Sequence, residues 1–118
     1  MPSPTAEAFA HGVLDAFSRS REACATFLLT HASARFASSV GDVAHLTHLF
    51  NNAAWSPLVT ASHREIVEIE SIGPAARATI RAVPAGDGTP ADYLLSLKQT
   101  NDGNWLITGL VRSELTAM

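Results

Sequence analysis

Hydrophobic residues recur every three or four positions through the first half of the chain, which is the spacing of one buried helix face. This pattern predicts a first helix over residues 4–18. Ser20 is a favourable helix cap and predicts a short second helix behind it. Asp42 offers a third cap, and the helix that it starts should end before Pro57. The first half of the chain is therefore predicted to be helical.

After Pro57 the pattern changes to an alternation of apolar and polar residues, which is typical of strands. The predicted strands cover residues 61–72, 76–83, 92–100 and 104–113. The Asp102-Gly103 pair between the last two predicts a tight hairpin, and hence antiparallel pairing. Helices followed by consecutive strands indicate the α+β class, with N-terminal helices packed in a curved four-stranded antiparallel sheet.

Composition narrows the class of protein. With 118 residues, 47% of them hydrophobic and 16% charged, the chain is predicted to be a single domain with one core. Eight Lys and Arg in a chain of net charge −3 argue against nucleic-acid binding, and no apolar run is long enough to span a membrane. Cys24 is the single cysteine and the N-terminus lacks the features of a signal peptide, so we expect a cytoplasmic protein without an internal disulfide.

The C-terminal hairpin carries a resemblance to a known superfamily. Residues 102–109 read Asp-Gly-Asn-Trp-Leu-Ile-Thr-Gly, after an apolar strand at 93–97 and a connection through 55–58. With three helices ahead of the sheet, these segments resemble the nuclear-transport-factor-2-like superfamily and are most similar to a bacterial branch of unknown function. The resemblance implies a cone-shaped, cystatin-like domain over residues 1–118 with a pocket inside the cone. Members include ketosteroid isomerases, polyketide cyclases, dehydratases and non-catalytic binders, so the resemblance leaves the chemistry open.

Strand alternation suggests which residues face this pocket, because successive side chains point to opposite faces of a sheet. Trp105 and Tyr93 are bulky and are assigned to the concave face, and parity in the first strand assigns His63 and Glu65 to the same face. The candidate catalytic residues are therefore His63, Glu65 and Tyr93, with Glu65 as proton acceptor and Tyr93 as hydroxyl donor. The alternative is that His63 and Glu65 only solvate the start of a strand.

The candidate ligand pocket consists of apolar residues on the helices and the concave face. Phe50 and Trp55 are expected at its mouth, where the third helix gives way to Pro57. The other predicted lining residues are Phe9, Val13, Phe17, Leu95, Trp105 and Ile107. No cofactor or metal is expected, because the sequence has neither a glycine-rich phosphate loop nor a cluster of metal ligands.

The convex face of the sheet is predicted to be too apolar to be left to water. Leu94, Leu106 and Leu110 are assigned to it, and a self-complementary apolar patch suits a symmetric homodimer. Three functions therefore stay open at this point. The chain could bind a small apolar or carbonyl-containing molecule, act as an acid–base isomerase, cyclase or dehydratase, or serve as a dimeric interaction domain with no ligand.

Overall fold

The computed structural model describes residues 5–52, 55–86 and 88–113. Within these residues, five helices precede a four-stranded antiparallel sheet, so the predicted α+β class is confirmed. The helices are α1 (Ala6–Phe17), α2 (Arg21–Thr30), α3 (Ala34–Val40), α4 (Val43–Leu49) and α5 (Ser56–Val59). The strands are β1 (His63–Ile72), β2 (Ala75–Val83), β3 (Ala91–Gln99) and β4 (Trp105–Ser113).

Polar side chains cap the N-termini of α1 to α4. Ser20 Oγ accepts a hydrogen bond from the backbone N–H of Ala23 at 3.1 Å, and Asp42 Oδ1 accepts one from His45 at 2.8 Å. Both predicted caps are thereby confirmed. In α1 the capping residue is Thr5, whereas the predicted start at residue 4 lies outside the described residues.

The sequence pattern predicts a loop that contains Arg35-Phe36 and Ser38-Ser39, where the structure has α3 instead. Ser33 caps this helix by accepting a hydrogen bond from the N–H of Phe36 at 3.1 Å. The turn before α3 is tied to β4, because the Ile107 N–H donates to the His31 carbonyl at 2.7 Å and the Ser33 N–H donates to the Ile107 carbonyl at 2.9 Å. These bonds fix α3 beside the edge of the sheet.

The sheet has the order β1-β2-β3-β4, with every neighbouring pair antiparallel. The predicted hairpin between β3 and β4 is confirmed: the Thr100 N–H donates to the Asn104 carbonyl at 2.7 Å. Gly103 has φ +86° in this turn, a backbone conformation that side chains other than glycine rarely adopt.

Helices cover one face of the sheet, and we call this the helix-covered face. Its residues in β2 and β3 are buried in the core and are Ala76, Ala78, Ile80, Ala82, Ala91, Tyr93, Leu95 and Leu97. Alanines on β2 leave room for the helices to approach closely, while larger residues on β3 fill the remaining volume. We call the opposite side the open face, because its described side chains in β1 and at Val111 are exposed.

A β-bulge in β4 changes the predicted faces. Thr108 has no opposite residue, because the register shifts between Ser96 and Leu97 of β3. Leu110 therefore points to the helix-covered face, where it is 5% exposed, while Val111 points to the open face and is 58% exposed. The prediction that Leu110 lies on the convex face is wrong, because one extra residue reverses the parity of every residue after it.

A second bulge, at Val67 in β1, has the same effect. Ile66 and Ile69 lie three positions apart, and yet both are half-buried against the core. His63 and Glu65 precede the bulge and are exposed on the open face. Their predicted position on the pocket side of the sheet is therefore wrong.

Among the helices that the structure describes, none has the length and apolar character of a membrane span.

Candidate functional site

The three candidate catalytic residues do not share a surface. His63 Nε2 and Glu65 Oε1 lie 3.6 Å apart on the open face, with side chains that are 64% and 50% exposed. Tyr93 lies on the helix-covered face and is 1% exposed. The structure therefore brings His63 and Glu65 together at the surface and separates both from Tyr93.

A row of charges continues from this pair across the open face. Glu65 stands opposite Arg81, and Arg81 stands opposite Asp92. Arg81 holds Asp92 with two hydrogen bonds, from Nε to Oδ1 at 2.9 Å and from Nη2 to Oδ2 at 3.3 Å. These hydrogen bonds and the charge of Asp92 raise the pKa of Arg81. Opposite charges on neighbouring strands are the cross-strand pairs that stabilise a sheet, and the row has the geometry of such a structural feature.

The interior of the predicted pocket is filled by core side chains. Apart from Trp55, every predicted lining residue is buried, at no more than 8% exposure. This buried set is Phe9, Val13, Phe17, Phe50, Leu95, Trp105 and Ile107. Side chains packed in this way stabilise the fold, and a ligand inside the core would have to displace them.

Arg64 closes one end of this core. Its Nε donates to the Leu58 carbonyl at 2.7 Å, its Nη2 donates to the Val59 carbonyl at 2.8 Å, and its guanidinium lies 5.7 Å from the ring centre of Phe17. Burial lowers the pKa of Arg64 and raises the pKa of Tyr93, which also forms a hydrogen bond with the backbone of Leu58. These hydrogen bonds hold α5 against the core, and the side chain of Leu58, a residue of α5, is fully buried there.

A groove of about 440 Å³ opens outside the core, between α3, the end of α4 and the bulged part of β4. We call it the α3–β4 groove. It is lined by Arg35, Phe36, Ser39, Val40, Leu49, Trp55, Thr108, Gly109, Leu110 and Val111. Most of these residues are apolar, and the volume is typical of a site for a small molecule.

Trp55 forms an aromatic wall of the groove, and its ring packs against the buried ring of Phe50. Its ring lies 5.6 Å from the ring of Phe50, which in turn lies 6.0 Å from the ring of Phe17. Phe50 and Phe17 are buried, whereas Trp55 is half-buried. The wall therefore combines a fixed position with an accessible aromatic surface, which suits contact with an apolar ligand.

Three described residues that line the groove have polar side chains, Arg35, Ser39 and Thr108. Arg35 is exposed at its rim and is the one charged residue among the described residues that line it. The Ser39 hydroxyl donates to the Phe36 carbonyl at 2.8 Å and so is engaged within α3. The groove therefore offers an apolar surface with a single positive charge at its edge.

Two further cavities lie elsewhere on the described surface. One, of about 360 Å³, is lined by Phe9, Thr30, His31, Asn104, Trp105 and Leu106. The other, of about 270 Å³, is lined by His48, Leu49, Asn51 and Asn52. In the first, the ring of the lining residue His31 packs 4.6 Å from the ring of Phe27, and in the second, Leu49 lies among three polar side chains. No group of three or more His, Cys, Asp or Glu in the described part of the chain is arranged to hold a metal ion.

Of the predicted pocket residues, Trp55 is the one that lines the α3–β4 groove. Sequence reasoning missed the others because it assigned α3 to a loop and did not detect the bulge at Thr108. Two signals were available: Ser33 ahead of Phe36 and Val40 at helical spacing, and the three-residue interval from Ile107 to Leu110. Comparison with known proteins finds no match for the chain among protein-family models, curated proteins or solved structures.

Proposed function

We propose that this chain binds a small, mainly apolar molecule in the α3–β4 groove. The observation that carries the proposal is the groove itself, an apolar cleft of about 440 Å³ with the half-buried Trp55 as one wall. Ligand sites are typically concave and mostly apolar, with a few polar groups that orient the ligand. The groove has these properties, whereas the interior of the core is filled.

The acid–base alternative has less support from the geometry. A general acid or base works beside a cavity that holds the substrate, and neither His63 nor Glu65 borders one of the three described cavities. Tyr93 is buried behind α5. Chemistry at these residues would need a substrate bound on the exposed face of the sheet.

Two expectations from the sequence belong to this proposal. The α+β order of helices and then four antiparallel strands supports the resemblance to nuclear-transport-factor-2-like proteins, many of which bind small molecules. A cytoplasmic location agrees with Cys24 being a buried free thiol.

Ligand binding in the groove can be tested by nuclear magnetic resonance with 1-octanol as the probe. Titration should shift the signals of the Trp55 indole and of the backbone amides of Gly109 and Val111. Ser39→Phe should weaken binding about tenfold or more, because the new ring occupies the groove. The matched control is Ser38→Phe, which adds the same ring one position away, on a residue that is exposed and does not line the groove.

Equal binding by the two phenylalanine variants would contradict the proposal. Shifts confined to Asn104 and Leu106 would also contradict it, because they would place the probe in the 360 Å³ cavity. Both variants should keep the amide spectrum of the folded protein, since the replaced side chains lie on the surface of α3.

A second candidate function, self-association, is favoured by the open face. With Leu110 buried, the apolar patch on this face consists of Leu94, Leu106 and Val111. Glu68 and Glu70 supply negative charge on the same face from β1, at the opposite edge of the sheet. Arg77, Arg81 and Lys98 supply positive charge from β2 and β3. A second copy related by a two-fold axis can set acidic residues against basic ones around the apolar patch.

The size of the face sets the expected strength of this dimer. Four strands about 4.8 Å apart and nine residues long, with a rise of about 3.3 Å per residue, give a face of roughly 550 Å². A standard interface buries about 800 Å² on each partner, so we expect a weak dimer. Sedimentation velocity over a range of concentrations should show it. Val111→Arg should shift the protein to monomer, whereas Val67→Arg should not, because Val67 is exposed on β1, away from the patch of Leu94, Leu106 and Val111.

A monomer at the highest concentration of the unmodified protein would exclude the dimer. If Val67→Arg disrupts the dimer as strongly as Val111→Arg, the patch of Leu94, Leu106 and Val111 is excluded as its interface, because the added charge alone would then explain the effect. Either outcome would leave the ligand-binding proposal standing; Val111→Arg is not used to measure ligand binding, because Val111 also lines the α3–β4 groove.

A further inference from the structure

We infer that the molecule bound in the α3–β4 groove is a monocarboxylate whose apolar body lies against Trp55 and whose carboxylate pairs with Arg35. The inference rests on the proposed function and adds the chemical class of the ligand.

Most cationic side chains of the chain already have partners. Arg19, Arg77 and Arg81 pair with the carboxylates of Asp15, Glu70 and Asp92, Arg21 donates to the Asn51 amide, and Arg64 donates to two backbone carbonyls. Arg35 differs from these residues. Within the described part of the chain, no carboxylate lies within ion-pair distance of its guanidinium.

The charge around the groove also favours an anion. The chain has a net charge of −3, but among the residues that the structure describes no Asp or Glu lines the groove. The acidic residues of the sheet lie on the open face, mainly on β1, which is the strand at the opposite edge from β4. The charged side chain among the described lining residues is therefore a positive one, that of Arg35. Arg also presents a planar fork of donors that matches the two oxygens of a carboxylate.

The remaining lining groups argue for an apolar body with one anionic end. Phe36, Val40, Leu49 and Trp55 offer no charged group, and the Ser39 hydroxyl already donates to a carbonyl. A ligand with several charges would leave all but one of them unpaired against this wall, which is unfavourable. A medium-chain fatty acid or an aromatic acid meets the requirement, because it has one charge and a long apolar part.

The test uses octanoate, 1-octanol and octylammonium, which share a chain and differ in charge. Isothermal titration calorimetry gives their affinities for the unmodified protein, for Arg35→Gln and for Lys98→Gln. Lys98 is an exposed cation on the open face, so its replacement makes the same change in net charge far from the groove lining. Amide shifts at Gly109 and Val111 verify where each probe binds.

We expect Arg35→Gln to weaken octanoate binding about fivefold and to leave 1-octanol binding within about twofold, the size expected for one solvent-accessible ion pair. Lys98→Gln should change neither affinity. Arg35→Lys should retain most of the octanoate affinity, because it keeps the charge. Added salt should weaken octanoate binding and not 1-octanol binding, since ions screen an exposed charge pair.

Two results would overturn the inference. The first is an unchanged ratio of octanoate to 1-octanol affinity in Arg35→Gln, and the second is octylammonium binding as tightly as octanoate. In both cases 1-octanol would still shift the groove signals, so the proposed function would stand without the carboxylate. If none of the three probes shifts these signals, the proposed function fails and the inference fails with it.

Discussion

Replacement of Phe50 by Ala should lower the free energy of unfolding by about 3 to 5 kcal/mol, the usual cost of removing a buried aromatic ring. Phe50 is fully buried, and its ring lies between those of Phe17 and Trp55, at 6.0 and 5.6 Å. Its loss leaves a cavity where α4 meets the core, and the neighbouring rings cannot fill it without moving. Urea unfolding followed by circular dichroism measures the change.

Phe50→Leu is the matched control, because it keeps most of the volume and should cost only about 1 kcal/mol. The two variants also separate stability from binding. Trp55 loses its support in Phe50→Ala, so 1-octanol affinity should fall in that variant and stay nearly normal in Phe50→Leu. A loss of stability below about 1 kcal/mol in Phe50→Ala would show that the aromatic stack is not part of the core.

Much of the fold could be predicted from local chemistry. The caps at Ser20 and Asp42 are short-range interactions within one turn, and the hairpin at Asp102-Gly103 depends on the φ +86° that Gly103 adopts. The alternation of strand residues likewise reflects one buried and one open face. Signals of this kind lie within a few residues of each other, so the sequence displays them directly.

The faces of β1 and β4 could not be predicted in the same way. Parity is counted along the strand, and a single bulge reverses it, so an error at Val67 or Thr108 carries to every residue on the far side. Whether a bulge forms depends on pairing with the neighbouring strand, which is a long-range property. The same cause removed Leu110 from the open face and His63 and Glu65 from the pocket side.

The candidate site was hard to predict because three separate segments form it. α3 supplies one wall, Trp55 another, and the bulged part of β4 the floor. α3 is only seven residues long and has two buried residues, Phe36 and Val40, and the hydrogen bonds between Ile107 and residues 31–33 hold its start against the sheet. A helix of this length depends on tertiary contacts more than on its own propensity. Trp55 was identified as a mouth residue because its position before Pro57 is a local feature.

Cys24 gives the fold a predictable sensitivity to alkaline pH. Burial raises the pKa of this thiol from 9.0 to about 12, and the positive charge of Arg64 only partly opposes the effect. The unfolded chain exposes the thiol and loses its proton near the ordinary pKa. The folded state is therefore favoured fully below about pH 9, and this contribution is lost as the pH rises towards 12.

Between pH 8 and pH 10.5 the unmodified protein should lose about 2 kcal/mol of stability through Cys24, the difference that pKa values of 9.0 and about 12 produce over that interval. Cys24→Ala removes the titrating group, so over the same interval its stability should fall by about 2 kcal/mol less than that of the unmodified protein. Tyr93, whose pKa burial also raises, contributes equally to both proteins and cancels in the comparison. Urea unfolding under reducing conditions at the two pH values measures both losses. If they are equal, the thiol is not buried as the structure places it, because an accessible thiol would have the same pKa in the folded and unfolded states and would add nothing to the pH dependence.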